Sequence, residues 1–210
     1  MKLYSFFRSS ASYRVRIALA LKGLPYETVS VPMRDQSHRR DSYRRINPQM
    51  RLPTLELDDG TKLIQSLAII EYLDAVYPEP RLIPADPLTR ARVQAVSQII
   101  GSDIHPLNNT GVRGVLASMF GASEQALDTE WTPHWIHEGF AAIEQLIAPA
   151  PFAFGSGITL ADVCIVPQVY NARRYKVPLD EFPRVLAVDA AAQAHPAFQT
   201  AAPEAQPDAA

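Results

Sequence analysis

The stretch Ser9–Leu19, SSASYRVRIAL, decides the fold of the first part of the chain. It follows a short apolar segment, residues 3–7, and three of its first four residues carry hydroxyl groups. Serine is a common helix N-cap, and Val15, Ala18 and Leu19 then recur with helical spacing. The pattern predicts a strand that leads directly into a helix. The N-terminus of such a helix stabilises an anion or a thiolate, although serines there also serve as plain caps.

The elements around this helix alternate between strand and helix. The predicted elements are a strand over 2–7, a helix over 11–22, a strand over 26–32, a helix over 36–46, strands over 53–57 and 61–64, and a helix from Ser66 to Pro78. The first three form a βαβ unit, which implies parallel strands, and the Asp59-Gly60 turn adds an antiparallel hairpin. The order is therefore βαβαββα.

Four prolines between residues 78 and 87 mark a domain boundary, because proline disfavours helix at its own position and the one before. We expect an N-terminal domain over 1–80, a linker over 81–88, an all-helical domain over 89–200 and a disordered tail over 201–210. Four helices are predicted in the second domain. The first two cover 88–119 and 124–147, the third begins near Thr159 with a capping box that includes Asp162, and the fourth covers 183–195. Pro167 either bends or shortens the third of these.

The charge distribution is uneven. Residues 1–51 hold eleven Lys/Arg and three Asp/Glu, and the remainder holds nine and nineteen, so the net charge of −2 joins a +8 part to a −10 part. A basic part favours anionic partners. Its arginines lack interleaved aromatics and no nucleic-acid motif is present, so we expect a small polyanionic ligand, with a solvated helix face as the alternative for Arg34, Arg39, Arg40, Arg44 and Arg45.

Composition excludes several other classes. With 47 % hydrophobic and 20 % charged residues and no apolar run of eighteen, the chain has the composition of a globular protein without a membrane span. The start, Met-Lys-Leu-Tyr-Ser, lacks the apolar core of a signal peptide. A single cysteine, Cys164, cannot form an internal disulfide, and we expect it in the core. These features favour a cytoplasmic protein.

Two further motifs provide a second anion site. Leu52-Pro53 precedes a strand, and since proline cannot donate to a sheet, the backbone groups of Leu52 are available to a ligand. Gln65-Ser66 lies at another predicted helix N-terminus, where an amide, a hydroxyl and N–H groups suit a carboxylate. Taken alone, Gln65-Ser66 is more typical of an ordinary cap.

Together these features resemble the cytosolic glutathione transferase fold, an α/β thioredoxin-like domain followed by an all-α domain. The serine-rich motif is similar to the zeta class, which includes maleylacetoacetate isomerase and maleylpyruvate isomerase. The resemblance covers nearly the whole chain and also rests on Asn47-Pro48, Leu52-Pro53, Gln65-Ser66, the segment 103–109 (DIHPLNN), Leu160-Ala-Asp162 and Asn171-Ala-Arg-Arg174.

The resemblance implies a glutathione-dependent enzyme. The expected reaction is cis–trans isomerisation of a maleyl ketoacid, in the degradation of aromatic compounds, by reversible addition of the thiolate. Ser9 or Ser10 would activate the sulfur of glutathione, and Arg8, Arg14 and Arg174 are candidates for the carboxylates of the substrate, with a structural ion pair as the alternative for Arg14. The residues expected to bind glutathione are Ser9, Ser10, His38, Leu52, a cis Pro53, Gln65, Ser66, His105, Asn108 and Asn109.

The chain departs from the family pattern at Ala11, where cysteine is usual, so no protein thiol acts there. Tyr13 stands where tryptophan or histidine is common, and Thr110-Gly111 follows the Asn-Asn pair where maleylpyruvate enzymes can carry arginines. Two rival functions stay open. One is a general transferase or dehalogenase that consumes glutathione on α-halo acids or other electrophiles, and the other is a non-catalytic interaction module.

A metal site is disfavoured, because His134 and His137 have helical spacing but lack an evident third ligand. The resemblance also implies a homodimer. A two-fold contact between the first domain of one subunit and the helical domain of the other would bring the +8 part against the −10 part.

Overall fold

The structure is a computed structural model that describes residues 1–33 and 35–209. Its strands are β1 (Lys2–Ser5), β2 (Glu27–Ser30), β3 (Thr54–Glu56) and β4 (Lys62–Ile64). Its helices are α1 (Ser10–Leu21), α2 (Asp41–Arg44), α3 (Ser66–Val76), α4 (Pro87–Gln98), α5 (Thr110–Phe120), α6 (Glu124–Ala126), α7 (Thr132–Leu146), α8 (Leu160–Arg174), α9 (Pro183–Gln193) and α10 (Pro196–Ala201). Short 3₁₀ turns cover Ser37–Arg39 and Pro203–Ala205, and π-helical turns cover Ile99–Ile104 and Leu127–Trp131.

The four strands form one mixed sheet in the order β2-β1-β3-β4. β1 runs parallel to β2, as the βαβ unit requires, and β3 is antiparallel to both β1 and β4. Leu3 and Leu55 face each other across β1 and β3 and are fully buried. The predicted βαβαββα order is confirmed, although the expected helix over 36–46 consists of the turn Ser37–Arg39 and the short α2.

The chain divides into two compact units whose boundaries differ from the expected ones. The N-terminal unit comprises Met1–Leu82 together with Gln193–Ala210, and the C-terminal unit comprises Ile83–Ala192. Residues 193–209 therefore fold with the first domain rather than with the helical domain. Arg34 of the expected basic face lies outside the described residues, and so does Ala210.

The expectation of a disordered tail over 201–210 is wrong for the residues described. The apolar side chains of Phe198, Ala201 and Pro203 are buried, and the backbone carbonyl of Ala201 accepts a hydrogen bond from Nε of Arg16 at 2.9 Å. Helix α1 is therefore covered on two sides, by α3 and by α10, and its residues from Ser10 to Leu19 are all buried. A contact across 185 residues leaves no trace in local hydrophobic periodicity.

The C-terminal unit consists mainly of helices, and most residues of α8 are buried. Pro167 neither ends nor shortens α8, which continues to Arg174. The capping box at its start is confirmed: Asp162 accepts hydrogen bonds from the N–H and hydroxyl of Thr159, and also from the N–H of Ala153. Cys164 is buried, as expected.

The helix expected over 88–119 is interrupted. Helix α4 passes into a π-helical turn that ends at Ile104, and α5 begins only at Thr110. Pro106 lies in this interruption and cannot donate the N–H that a continuous helix needs. None of the described helices is long and apolar enough to cross a membrane.

Candidate functional site

The register of the sheet places three of the predicted motifs at one end of it. Tyr4 of β1 pairs with Thr54 of β3, and Thr54 pairs in turn with Ile64 of β4. Because β3 is antiparallel to both neighbours, the residue before β3, Pro53, lies beside the ends of β1 and β4. These two strands lead into the N-termini of α1 and α3, so the sheet gathers two helix N-termini around Leu52-Pro53.

Ser9 is the N-cap of α1, and its side chain is half-buried. Its Oγ accepts a hydrogen bond from the N–H of Ser12 at 3.2 Å, which leaves its own hydrogen available to donate. Among the described residues, the N–H groups of Ser10 and Ala11 find no acceptor. An anion next to Ser9 would therefore meet a hydroxyl donor and the positive end of the helix dipole together.

Ser10 and Ser12 lie deeper than Ser9. Ser10 is buried in the first turn, and the Oγ of Ser12 is fully buried with no hydrogen-bond partner among the described residues. The structure thus distinguishes Ser9 from Ser10, the two serines that the sequence offered as the activating hydroxyl. Ser9 is the one that is only half-buried and whose hydroxyl keeps its hydrogen available to donate.

The loop that carries Leu52-Pro53 is held by a buried polar network. The hydroxyl of Tyr43 donates to the carbonyl of Arg51 at 2.9 Å, and Nδ2 of Asn47 donates to the same oxygen at 2.7 Å. Both side chains also contact Oγ1 of Thr54, at 3.1 Å each. Burial raises the pKa of Tyr43 to about 12, so its hydroxyl keeps its proton and remains a donor.

Leu52 therefore sits between two fixed points, Arg51 before it and Thr54 after it. The Leu52–Pro53 bond is cis, as the family resemblance implied. No described residue bonds to the N–H or the carbonyl of Leu52. Its backbone is thus presented to a ligand in a fixed position, in the manner of an edge strand.

Gln65 and Ser66 form the second helix N-terminus. Gln65 has a left-handed backbone (φ 69°), its side chain is exposed and does not cap α3, and its Nε2 donates to Oε1 of Gln49 at 2.7 Å. Ser66 is buried and its Oγ accepts from Arg14 at 3.3 Å. Since a left-handed conformation is costly for glutamine, its persistence at an uncapped helix end is typical of a binding site.

Arg14 does not lie where a substrate could meet it. Its side chain is 1 % exposed and reaches from α1 to Ser66 at the start of α3. This position favours the structural alternative over direct contact with a substrate. Its charge nevertheless adds to the positive potential at the N-terminus of α3.

His38 is 8 % exposed, and its Nδ1 has no hydrogen-bond partner among the described residues. Burial lowers the pKa of His38 below its ordinary value, and the neighbouring charges of Arg39 and Arg51 lower it further. The imidazole is therefore neutral near pH 7, and an incoming carboxylate would raise its pKa.

Arg8 lies in the turn between β1 and Ser9. Its guanidinium is 5.3 Å from the ring centre of Phe7 and 5.9 Å from that of Phe6. The buried Nε of Arg8 finds no hydrogen-bond partner within residues 1–33 and 35–209. A cation adjacent in sequence to Ser9 with an open donor suits an anionic substrate.

The other predicted site residues belong to the C-terminal unit. Asn109 is the N-cap of α5, and its Nδ2 donates to Nε2 of His105 at 3.2 Å while its Oδ1 accepts from the N–H of Thr110. Asn108 is 3 % exposed, and its Nδ2 has no partner in the described part of the chain. Of this pair, Asn108 has a side-chain N–H group without a partner in the described part of the chain, whereas both ends of the Asn109 side chain are engaged.

Arg174 is exposed at the end of α8. Its Nη2 donates to the hydroxyl of Tyr175 at 3.0 Å, and its guanidinium lies 4.8 Å from the ring centre. Arg113 lies 5.1 Å from the same ring and is itself tied to Thr132 and Asp128. Arg113 is thus committed to structural contacts, and Arg174 is the cation of this group that is open to solvent.

The two histidines weighed as metal ligands contact separate carboxylates. His134 lies 3.4 Å from Glu138, and His137 lies 2.8 Å from Glu181. No cluster of three or more His, Cys, Asp or Glu residues able to hold a metal is found in the part of the chain that the structure describes.

Sequence reasoning missed Tyr43 and Thr54, the two side chains that position Leu52 from outside its motif. Tyr43 is an aromatic residue inside a run of arginines, which is a weak signal for a buried side chain. It also missed Arg16, which is fully buried although arginine is among the residues most often exposed.

Comparisons with known proteins identify the family. Residues 3–81 match the family model for the N-terminal domain of glutathione S-transferase, and residues 112–191 match that for its C-terminal domain. The chain belongs to the glutathione S-transferase family.

Within that family the similar proteins are of one kind. The chain is 50 % identical over 210 residues to maleylacetoacetate isomerase of Pseudomonas aeruginosa. The alignment covers 99 % of this chain and 98 % of the relative. A solved holo structure of maleylpyruvate isomerase, a bacterial glutathione S-transferase in the zeta class, covers both chains fully with a TM-score of 0.95 at 48 % identity. A structure of maleylacetoacetate isomerase from Anaeromyxobacter dehalogenans with glutathione bound in its active site has a TM-score of 0.89 at 40 % identity, covering 100 % and 97 % of the two chains.

Proposed function

We propose that this protein is a glutathione-dependent cis–trans isomerase that converts a maleyl ketoacid, maleylacetoacetate or maleylpyruvate, to its fumaryl isomer. The observation that carries the proposal is the geometry of Ser9, a half-buried hydroxyl with an available hydrogen at a helix N-terminus that has two open N–H groups. The names of the similar proteins supply the substrate class.

The proposed contacts extend along the length of glutathione. The hydroxyl of Ser9 is proposed to donate to the sulfur, and the backbone of Leu52 to pair with the cysteinyl unit. Gln65, Ser66 and the open first turn of α3 would hold the γ-glutamyl end, and His38 would donate to the glycyl carboxylate. The orphaned Nδ1 of His38 and the unbonded backbone of Leu52 support this assignment.

When bound, glutathione supplies a thiolate that adds reversibly to the double bond and so permits rotation. The task of the protein is to keep that sulfur ionised and to hold the dianionic substrate in position. Ser9 and the α1 N-terminus perform the first task. Since cysteine is absent at Ala11, the hydroxyl and backbone donors provide the stabilisation without a protein thiol.

Arg8 is proposed to bind a carboxylate of the substrate. It is a cation directly before Ser9 in the sequence, and its planar guanidinium can grip a carboxylate in two places.

The experiment that tests this function follows the ultraviolet spectrum of each maleyl ketoacid with catalytic amounts of glutathione. We expect complete conversion to the fumaryl isomer with the glutathione recovered as free thiol. Stoichiometric loss of the thiol would instead show conjugation. Failure of the protein to bind immobilised glutathione would reject every enzymatic function proposed here.

We also propose that the protein is a cytoplasmic homodimer. Reduced glutathione is maintained in the cytosol, where the thiol that this reaction needs is available. The opposite charges of residues 1–51 and of the remainder favour pairing between unlike parts of two subunits. Sedimentation at low salt tests the dimer, and a monomer would reject it.

A further inference from the structure

The turn that delivers Ser9 to its position is held by the far end of the chain. Residues Phe6–Ser9 form a turn closed by a hydrogen bond from the N–H of Ser9 to the carbonyl of Phe6 at 2.9 Å. Phe7 lies in the middle of this turn, and both of its backbone polar groups have partners elsewhere. Its N–H donates to Oδ2 of Asp208 at 3.0 Å, and its carbonyl accepts from Nη2 of Arg16 at 3.0 Å.

Asp208 is held in place on its own side. The same Oδ2 accepts from the hydroxyl of Ser30, at the end of β2, at 3.1 Å. The segment that carries Asp208 is fixed by Gln206, whose Nε2 donates to the carbonyls of Thr200 and Ala202. One carboxylate oxygen therefore joins the end of β2, the turn before α1 and the last residues of the chain.

Arg16 completes the arrangement from inside. Its fully buried guanidinium donates to the carbonyl of Phe7, to Oγ of Ser5 and to the carbonyl of Ala201. The planar fork of the guanidinium fixes the directions of these bonds relative to one another. Arg16 thus ties α10 to the turn through the carbonyl of Phe7, while Asp208 binds the N–H of the same residue.

We propose that Asp208 is a positioning residue for Ser9: with Arg16, it clamps the Phe6–Ser9 turn and so fixes where the hydroxyl of Ser9 points. This inference rests on the proposed role of Ser9. A donor that activates a thiol must be placed within a fraction of an ångström, and misplacement by about 1 Å costs up to about 100-fold in rate. The clamp supplies that precision by fixing the N–H and the carbonyl of Phe7 within the turn.

The test compares Asp208→Ala, which removes the acceptor, with Asp208→Asn, which retains an oxygen at the same place. Glu71→Ala is the matched control, because it removes an exposed carboxylate elsewhere in the same unit. In the ligand-free protein, amide hydrogen exchange of the peptide containing Phe7 measures the clamp directly. In the complex, kcat and the thiol pKa of bound glutathione measure its effect.

We expect Asp208→Ala to accelerate exchange at Phe7, to raise the thiol pKa and to lower kcat about three- to tenfold. Asp208→Asn and Glu71→Ala should remain close to the unsubstituted protein. Faster exchange without a change in thiol pKa or kcat would overturn the positioning role, and so would an Asn variant as impaired as the Ala variant. If Ser9→Ala itself leaves kcat unchanged, the role proposed for Ser9 fails, whatever the Asp208 variants show.

Discussion

Replacing Ser9 with alanine removes two interactions whose consequences can be measured apart. The first is the hydrogen bond from its hydroxyl to the thiolate, of a kind that contributes about 1.5–3 kcal/mol. Since 1.36 kcal/mol corresponds to one pKa unit, the thiol pKa of bound glutathione should rise by about 1–2 units. The thiolate fraction near neutral pH, and with it kcat, should fall about tenfold or more. The α1 dipole still contributes about 0.3–1 kcal/mol, so some activity should remain.

The second interaction is the cap, in which Oγ of Ser9 accepts from the N–H of Ser12. Its loss should cost about 0.5–2 kcal/mol of stability, or a few degrees in the midpoint of thermal unfolding. Ser123 caps α6 through an equivalent bond to the N–H of Ala126, so Ser123→Ala is a matched control for capping alone. It should lose stability without losing activity, whereas Ser9→Thr should retain both.

The assay for this prediction is the rate of maleyl ketoacid isomerisation as a function of pH. Because the defect lies in thiol ionisation, raising the pH should restore much of the activity of Ser9→Ala. A deficit that is equal at all pH values would refute the reasoning. An unchanged rate would transfer the role to Ser10, Ser12 or the backbone N–H groups alone.

Three further predictions concern the surroundings of the site. Tyr43→Phe should raise the KM for glutathione about three- to tenfold with kcat retained, because the Arg51 carbonyl loses a hydrogen bond worth about 0.5–1.5 kcal/mol. An unchanged KM would mean that the position of the Leu52 loop does not depend on the Tyr43 hydroxyl. Burial holds the pKa of His38 below 6.5, so as the pH falls the unfolded chain binds a proton at this histidine before the folded protein does. The stability of the protein should therefore decrease as the pH drops below 6.5, and the decrease should be smaller for His38→Asn when thermal unfolding is measured against pH. Identical pH profiles for the two proteins would contradict this prediction. Asp162→Ala should lower stability by at least about 2 kcal/mol, or roughly 4–8 °C in the unfolding midpoint, because it deletes the acceptor for Thr159 and Ala153; a drop below 2 °C would contradict it.

The order of elements in the N-terminal domain could be predicted because each element has a local signature. Serines mark the start of α1, the Asp59-Gly60 turn marks the hairpin, and helical periodicity marks α3. The cap at Ser9 and the capping box at Thr159 were predictable for the same reason, since both involve residues no more than three positions apart.

The parts that could not be predicted depend on contacts distant in sequence. Arg16 reads as a surface residue of an amphipathic helix until α10 covers it, and that contact spans 185 residues. The terminal segment is rich in alanine and proline, a composition typical of disorder, but the few apolar side chains it carries are buried against the first domain. Composition therefore gave no sign that Asp208 would contact Phe7.

The candidate site divides in the same way. Local motifs pointed to Ser9, Leu52, Gln65 and Ser66. The bond from the N–H of Ser12 to the hydroxyl of Ser9 depends on the folded conformation of the chain, so the sequence could not distinguish Ser9 from Ser10. Arg14 had the right chemistry for a substrate carboxylate, but its burial against Ser66 could not be read from its helical position.

The measurement that tests the account most directly is titration of glutathione bound to the unsubstituted protein, followed by the ultraviolet absorbance of its thiolate. We predict an apparent pKa for the bound sulfur well below that of glutathione in free solution. A bound thiol that titrates at the free-solution value would contradict the claim that Ser9 and the N-terminus of α1 together activate it.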